Sequence, residues 1–294
     1  MRPRRACLTA LLFGLLTGVP TLAIAQSPAA SGSETLARIR AAKEIRVAFS
    51  GDSAPFSHVA AHGEPAGFAI DLCRRVIDGI ARSIGVSELK TRWLVGSAAE
   101  RVQMVAAGKA DLDCANTTTT LARLRRVDFS ALVFLDSGGL LVRADGPVQR
   151  FADLDGKTLG VLAGTTTERS IDAQLKQNAP SARVVRLNDG NEGVAMLESG
   201  SLDAFAGDKI KLVGLAAQGR NPRGMFVLPE DLSYEPQAFA LPRNDSAFRL
   251  EVNRALSQVY ASGELERIFA QWLGRLGQPA GLLAAVYRLN VIPE

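Results

Sequence analysis

The sequence contains few of the side chains that form metal centres or nucleophilic active sites. Its 294 residues include three cysteines and two histidines, and these do not cluster at metal-ligand spacing. The histidines, His58 and His62, share one polar loop with a single acid, Glu64, where solvated residues are commoner than catalytic or metal-binding ones. The Gly-Thr-Thr segment at 164–166 is followed by Thr-Glu-Arg and not by the Gly-Lys-Ser/Thr of a nucleotide P-loop, so we predict no P-loop there, and we predict no cofactor.

Long apolar runs are also scarce, and the main one lies at the N-terminus. Three arginines precede an apolar stretch at residues 8–19, and Ala23 and Ala25 give the small-x-small form of a cleavage site. The stretch is shorter than the ~20 residues that span a membrane, although an N-terminal anchor is the alternative. We predict a signal peptide over residues 1–25, export to the periplasm, and a flexible leader over residues 26–35.

The excess of basic residues largely disappears with that segment. The whole chain has a formal charge of +4, but without residues 1–25 it has 31 basic residues against 30 acidic ones. This balance gives no reason to expect nucleic-acid binding. The roughly 270 residues that remain suit one large domain or two of ~100–150 residues.

Two cysteines, Cys73 and Cys114, remain after removal of the signal peptide. They could pair in an oxidising compartment. However, they lie on different predicted elements, and the sequence does not give the distance between them. Two buried free thiols are therefore the slightly preferred expectation.

Two stretches of the chain share a ten-residue pattern. Residues 102–111 and 194–203 carry Val, Met, Gly and Asp at matching positions, and a polar residue follows five positions later, Asn116 in the first and Asp208 in the second. In each, an apolar helical face ends at a glycine before a short strand, although this order recurs by chance in α/β proteins. We predict two similar α/β lobes facing each other across a cleft, where open α/β sheets bind small ligands.

Strands and helices alternate along the remainder, which favours a parallel or mixed sheet in each lobe. Predicted helices cover residues 36–43, 68–84, 98–107, 121–126, 168–178, 192–199, 210–218, 246–262 and 264–276. Predicted strands cover residues 45–49, 89–94, 110–115, 158–162, 184–186 and 203–206. Two extended segments are predicted at 132–142, with a break at Gly138 and Gly139, and at 234–241.

Several short motifs occur in an order that resembles a known family. They are APF at 54–56, GFAIDL at 67–72, GKAD at 108–111, TLAR at 120–123 with VDFS at 127–130, DLDGK at 153–157, GTTTE at 164–168, LESG at 197–200, and SGEL at 262–265 with QWLG at 271–274. Each is weak alone, but together they resemble the periplasmic solute-binding proteins of polar amino acid ABC importers (family 3, the "Venus flytrap" binders). The resemblance is nearest to the glutamate/aspartate-binding type.

This resemblance implies an α/β periplasmic-binding-protein fold of two lobes joined by two hinge crossings, near residues 135–140 and 234–239. Lobe 1 is expected to be discontinuous, with residues 36–136 and 238–276, and lobe 2 to cover 137–237. A C-terminal tail at 277–294 is expected to pack on a lobe through Leu282, Leu283, Val286 and Tyr287.

The chemistry of a free amino acid accounts for the binding residues that the resemblance implies. A buried carboxylate and a buried ammonium group both need opposite charges and directed hydrogen bonds. The resemblance gives the carboxylate to Arg123, which can bind it bidentately, and the ammonium group to Asp208. The alternatives are a surface arginine and an N-cap of the helix at 210–218.

Three threonines and an asparagine complete the expected site. Asn116 and Thr118 come just before Arg123, and their side chains or backbone can bind the same ligand groups, with helix capping as the alternative. A strand joins a helix at residues 164–167, and such a helix N-terminus offers N–H groups to an anion. The resemblance places Thr166 on the ligand from lobe 2, with Thr165 beside it.

Three positions depart from the glutamate/aspartate-binding pattern. Ser50 replaces an expected basic residue, Gly190 replaces an expected histidine, and Ala98 replaces a small polar residue. Arg101 remains as the cation expected to face the ligand side chain, with Ser50 as a polar contact. The expected ligand is therefore a polar or acidic amino acid, without a choice of one species.

The expected function is that of a monomeric, non-enzymatic receptor that closes around its ligand and delivers it to an ABC permease in the inner membrane. An enzyme on the same fold, similar to arogenate or prephenate dehydratases, is the first alternative. It would need a general acid in the cleft, for which Asp208 is the candidate. A sensor or accessory binding module is the second alternative.

Overall fold

The computed structural model describes residues 32–178, 181–276, 278–279 and 281–293. The predicted signal peptide, and the leader up to residue 31, lie outside these ranges. Within them, no helix combines the length and the apolar character that crossing a membrane requires.

Helices and strands alternate in the predicted order. The helices are α1 (Glu34–Ala42), α2 (Phe68–Ser83), α3 (Ala98–Ala106), α4 (Leu121–Leu124), α5 (Thr166–Asn178), α6 (Gly190–Glu198), α7 (Lys209–Gln218), α8 (Ser246–Ala261), α9 (Glu264–Leu273) and α10 (Gly281–Leu289). The strands are β1 (Glu44–Phe49), β2 (Asp52–Ser53), β3 (Ser57–Val59), β4 (Pro65–Ala66), β5 (Lys90–Val95), β6 (Leu112–Asp113), β7 (Asp128–Arg143), β8 (Thr158–Leu162), β9 (Arg183–Leu187), β10 (Ala204–Asp208), β11 (Met225–Val227) and β12 (Ser233–Leu241).

A nine-stranded mixed sheet connects the two lobes. Its order is β5-β1-β6-β12-β7-β10-β8-β9, with β11 beside β7. Strand β1 is parallel to β5 and β6 in lobe 1, and β8 is parallel to β9 and β10 in lobe 2. The long antiparallel pair of β7 and β12 lies between these halves and forms the two predicted crossings. The residue at which each lobe ends stays a prediction.

The predicted break in the first crossing is wrong. Strand β7 continues through Gly138 and Gly139 to Arg143. A Cβ atom at Gly138 would lie 2.5 Å from the Ser233 hydroxyl, and one at Gly139 would lie 2.7 Å from Cγ of Lys209. The two glycines therefore allow close approach of neighbouring elements and do not end the strand.

The segment between β1 and α2 was predicted as a loop, but it contains a small antiparallel sheet of β2, β3 and β4. Each of these strands has only two or three residues, which is too short for an alternating pattern to be read from the sequence. This sheet matters for the site because it places Asp52 at the edge of the cleft.

Each lobe buries its own apolar core. In lobe 1, residues four positions apart on α2, such as Phe68, Leu72, Val76 and Ile80, form one buried helical face against α8 and α9. In lobe 2, helices cover both faces of the sheet, so consecutive residues of β7 enter different apolar clusters.

Cys73 and Cys114 form a disulfide, with their Cα atoms 6.0 Å apart. The preference for two free thiols is therefore wrong. Cys73 lies on the buried face of α2, and Cys114 directly follows β6, so packing the helix on the sheet brings the two sulfur atoms together. The sequence could not give this distance because 41 residues separate the two positions.

The C-terminal tail packs on lobe 1 through α10. Tyr287 is buried, and its hydroxyl donates to the carbonyl oxygen of Val133 at 3.2 Å. Leu283 and Val286 are partly buried against the same core, as expected. Leu282 was expected to pack with them, but 63% of its surface is exposed because it lies on the outer side of the helix.

Candidate functional site

A cavity of about 70 Å³ lies between the lobes, at the carboxyl ends of the parallel strands. Its lining includes a residue at or just after the end of six strands, β1, β5, β6, β8, β9 and β10: Ser50, Ser97, Asn116, Ala163, Asn188 and Asp208. One water molecule needs about 10–15 Å³ on this measure. The cavity therefore accommodates several waters or one small solute.

The structure brings all eight sequence-predicted site residues to the wall of this cavity. They are Ser50, Arg101, Asn116, Thr118, Arg123, Thr165, Thr166 and Asp208. The two residues matched by the internal repeat also meet, since the Asn116 amide donates to the Asp208 carboxylate at 2.9 Å. This hydrogen bond joins lobe 1 to lobe 2, so the lobes are in contact across the cleft.

Arg123 presents a cation that has no carboxylate partner within ion-pair distance in the described part of the chain. It lies on the short helix α4, and its Nη1 donates to the carbonyl oxygen of Thr118 at 2.8 Å. Burial lowers the pKa of Arg123, and the nearby charge of Arg169 adds to this effect. A partly buried guanidinium with free donors beside a cavity is suited to bind an anion.

The N-terminus of α5 faces the same cavity. Thr165 caps this helix, because its hydroxyl accepts from the N–H of Glu168 at 3.1 Å and donates to the Leu162 carbonyl at 2.8 Å. Its side chain is therefore already occupied by the capping contacts. The N–H groups of Thr166 and Thr167 lie in the first turn, where a helix supplies no backbone acceptor, and they are suited to bind an anion.

Asp208 supplies a buried negative charge at the end of β10. Besides Asn116, it accepts from the Gln237 amide at 3.2 Å and from the Thr167 hydroxyl at 3.4 Å. Burial, with the Glu235 charge as a second cause, raises the pKa of Asp208 to about 6. A ligand cation would offset both effects and stabilise the ionised carboxylate.

Neither the Asp208 nor the Thr118 side chain caps a helix N-terminus, which was the alternative to ligand binding. Asp208 precedes α7 but makes no capping hydrogen bond, and the N–H of Ile210 donates instead to Asp136 at 3.2 Å. Helix α4 is capped by Thr120, so Thr118 is likewise free of that role.

Burial and the charge of Asp208 raise the pKa of Asp136 to about 8.

Glu235 is an acid of this region that the sequence analysis missed. Only 1% of it is exposed, and it accepts hydrogen bonds from Thr118 and Thr166, both at 2.6 Å, and from Ser233 at 2.5 Å. The two threonines lie on different lobes, so one carboxylate on the hinge strand β12 ties both together. Each hydroxyl has a single proton, and its remaining capacity toward a ligand is that of an acceptor.

Arg101 is more fully compensated than the sequence analysis expected. It is 2% exposed, and its Nε donates to the buried Asp113 at 2.9 Å. Its Nη atoms donate to the Gly96 carbonyl at 3.0 Å and to the Thr117 hydroxyl at 3.1 Å. Arg101 thus lines the cavity as half of an ion pair and not as a free cation.

A second ion pair, also missed, crosses the cleft. Lys211 on α7 of lobe 2 places its Nζ 3.2 Å from both carboxylate oxygens of Asp52 on β2 of lobe 1. Asp52 also accepts from the N–H of Gly190 and from the Ser50 hydroxyl, both at 2.9 Å. The residues that replace two expected cations, Ser50 and Gly190, are therefore both partners of Asp52.

The sequence held a signal for Lys211 but little for the acids. Lys211 precedes the buried Leu215 by one helical turn, so it lies on the face of α7 that the lobe buries. Glu235 is the acid of an otherwise mostly apolar strand, which could have marked it as a buried polar group. Asp52 has no comparable signal, because its strand has two residues.

Comparisons with known proteins agree with this architecture. The family described as "Bacterial extracellular solute-binding proteins, family 3" matches residues 45–275. The L-glutamate/L-aspartate-binding protein of Pseudomonas aeruginosa is 31% identical over 249 residues, which is 84% of this chain and 82% of that protein.

Solved structures show the same fold. The solute receptor for L-cysteine of Neisseria gonorrhoeae is 26% identical with a TM-score of 0.72, covering 85% of this chain and 98% of its own. An ancestral arginine-binding protein bound to glutamine is 27% identical with a TM-score of 0.69, covering 79% of this chain and 98% of its own.

Proposed function

Because the chain belongs to family 3 of the bacterial extracellular solute-binding proteins, we propose that its cleft binds one free amino acid with a polar or acidic side chain for an ABC importer. The observation that carries this proposal is the pairing of two charges in one cavity. Arg123 supplies a cation without a carboxylate partner in the described chain, and Asp208 supplies a buried carboxylate. This is the complement of an amino acid zwitterion.

The donors and acceptors of the cavity favour one orientation of the ligand. Arg123 and the N–H groups of Thr166 and Thr167 are donors, and they bind the α-carboxylate. Asp208 binds the α-ammonium group, and the Thr118 hydroxyl accepts from the same group because its proton is given to Glu235. The ligand side chain then lies toward the remaining lining residues.

Closure of the two lobes makes these contacts strong. Asn116 and Thr118 of lobe 1 meet Asp208 and Thr166 of lobe 2 at 2.9 and 3.4 Å. A ligand held between them is shielded from water, and its charged contacts strengthen as the local dielectric falls. The closed form presents one continuous surface to a permease, and the open form does not.

The proposal extends to the compartment and the organisation of the chain. A disulfide between Cys73 and Cys114 suits an oxidising compartment, which supports periplasmic location after removal of residues 1–25. We place the lobe boundaries in the two crossings, near residues 136 and 237. We further propose that one monomer binds one ligand, since both lobes of a single chain supply the cavity.

A thermal-shift screen of the chain from Gln26 against the twenty amino acids and small dicarboxylates tests this proposal. Ligand at 100 times its Kd adds about 2.7 kcal/mol of stability, which gives a clear rise in Tm. We expect a rise with one class of amino acid, lost in Arg123→Ala and in Asp208→Asn. The matched control is Arg125→Ala, an exposed arginine that follows the same short helix and leaves the shift unchanged.

Two results would contradict the receptor. Absence of a shift with every amino acid would remove the amino acid assignment. Conversion of prephenate or arogenate into product by the purified protein would favour the enzyme, which the binding-protein relatives do not favour.

A further inference from the structure

The ion pair of Asp52 and Lys211 spans the two lobes at the wall of the cavity. Lys211 is 7% exposed, and both of its 3.2 Å contacts go to Asp52. The backbones also approach closely here: a Cβ atom at Gly214, one turn along α7, would overlap the carbonyl oxygen of Ala54. The pair therefore belongs to the closed state and is held in a tight interface.

Asp52 is ionised in this setting. Burial alone would raise its pKa, but the Lys211 ammonium, the Gly190 N–H and the Ser50 hydroxyl outweigh burial and hold the pKa below its usual range. Both carboxylate oxygens have partners, since Oδ1 accepts from Ser50 and Oδ2 from Gly190 while each also contacts Lys211. The pair is thus electrically balanced and fully hydrogen-bonded on the acidic side.

Among the residues that the structure describes, the charged groups that line the cavity leave no uncompensated cation for an acidic side chain. Five ionisable residues line it, namely Asp52, Arg101, Arg123, Asp208 and Lys211. Asp113 compensates Arg101, and Asp52 compensates Lys211. The remaining two, Arg123 and Asp208, match the two charges that every amino acid zwitterion carries.

We propose that the Asp52–Lys211 pair sets the charge selectivity of the cavity, so that this protein binds amino acids with a neutral polar side chain in preference to acidic ones. This rests on the proposed function and narrows its ligand class. Two neutral hydrogen-bonding groups beside the pair, Ser50 and Ser53, also line the cavity and suit an amide or a hydroxyl. A side-chain carboxylate would remain uncompensated unless it displaced Asp52 from Lys211.

The test is isothermal titration calorimetry with glutamine, asparagine, glutamate and aspartate as probes. Of glutamine and asparagine, the unmodified protein is expected to bind the one with the higher affinity at least tenfold more tightly than the corresponding acid. Asp52→Asn leaves Lys211 without its acidic partner, and the affinity for the acid should rise at least tenfold relative to the amide. Lys211→Met leaves the Asp52 carboxylate uncompensated. The affinity for the acidic amino acid should therefore fall further, and the affinity for ornithine should rise.

Asp189→Asn is the matched control. It removes the same charge one position from Gly190, on the partly exposed N-cap of α6 and outside the cavity lining, and the amide-to-acid ratio should not change. Thermal melting of each variant without ligand shows that it is folded.

Glutamate or aspartate binding as tightly as the amides overturns the selectivity proposal while the receptor stands. An unchanged ratio in Asp52→Asn also overturns it. Failure of all amino acids to bind the unmodified protein, with a normal melting curve, overturns the proposed function together with it.

Discussion

Ligand affinity should fall at low pH because the buried Asp208 must be ionised to bind an ammonium group. The pKa of Asp208 in the ligand-free protein is raised to about 6, first by burial and then by Glu235. One pH unit below that value, roughly one molecule in ten has the ionised carboxylate. The apparent affinity at pH 5 should therefore be about tenfold weaker than at pH 8.

The proton that leaves Asp208 provides an independent readout. At pH 5 binding should release close to one proton from Asp208, so the calorimetric enthalpy should vary with the ionisation enthalpy of the buffer. The ligand for this assay is the amino acid with the largest shift in the screen. Asp208→Asn should show weak binding that does not depend on pH. Equal affinity at pH 5 and pH 8 in the unmodified protein would refute the assignment of the ammonium group to Asp208.

The same group should lower the stability of the empty protein at neutral pH. Since the folded-state pKa of Asp208 lies above its usual value, the folded state holds the proton more tightly than the unfolded state. Stability from this group is present below about pH 4 and is lost as pH rises to about 6. Asp208→Asn should therefore increase the unfolding free energy of the ligand-free protein at pH 7 by up to about 3 kcal/mol, which raises its Tm. A lower Tm would contradict this reasoning.

Two further predictions concern the frame of the site. Replacing both Cys73 and Cys114 by Ala removes a cross-link over 41 residues and should cost about 4 kcal/mol in unfolding free energy, measured by denaturant titration; an unchanged midpoint would show that the bond does not form. Gly214→Val places a side chain against Ala54 across the cleft, so it should weaken binding at least tenfold and leave an open form visible by small-angle scattering. Val213→Ala, an exposed neighbour on α7, is its control and should bind normally.

Local sequence patterns were sufficient to predict the longer elements, in which the apolar spacing repeats over several turns. The apolar spacing at residues 68–84 and the repeat around α3 and α6 predicted these three helices within a few residues. The repeat also placed Asn116 and Asp208 at equivalent strand ends, and they meet across the cleft. Short elements gave no such signal, so β2 and β11 were not predicted.

Contacts between distant positions explain most of what the sequence did not show. Asp52 and Lys211 are 159 residues apart, and the pair forms only when α7 meets the small sheet of lobe 1. Arg101 was predicted as a cation for the ligand, but Asp113, twelve residues away on β6, neutralises it. Residue type alone therefore identified the charged groups of the cavity without showing which charges remain free.

The disulfide has a consequence for the order of events in ligand capture. Cys114 lies two residues before Asn116, so the cross-link to α2 fixes the segment that carries Asn116 and Thr118. That half of the site is then a rigid platform, and the conformational entropy lost on capture falls mainly on the hinge strands and lobe 2. In a chain made in a reducing cytoplasm, without the disulfide, the segment of Asn116 and Thr118 would be more flexible. The ligand affinity of a sample would then depend on whether the disulfide has formed.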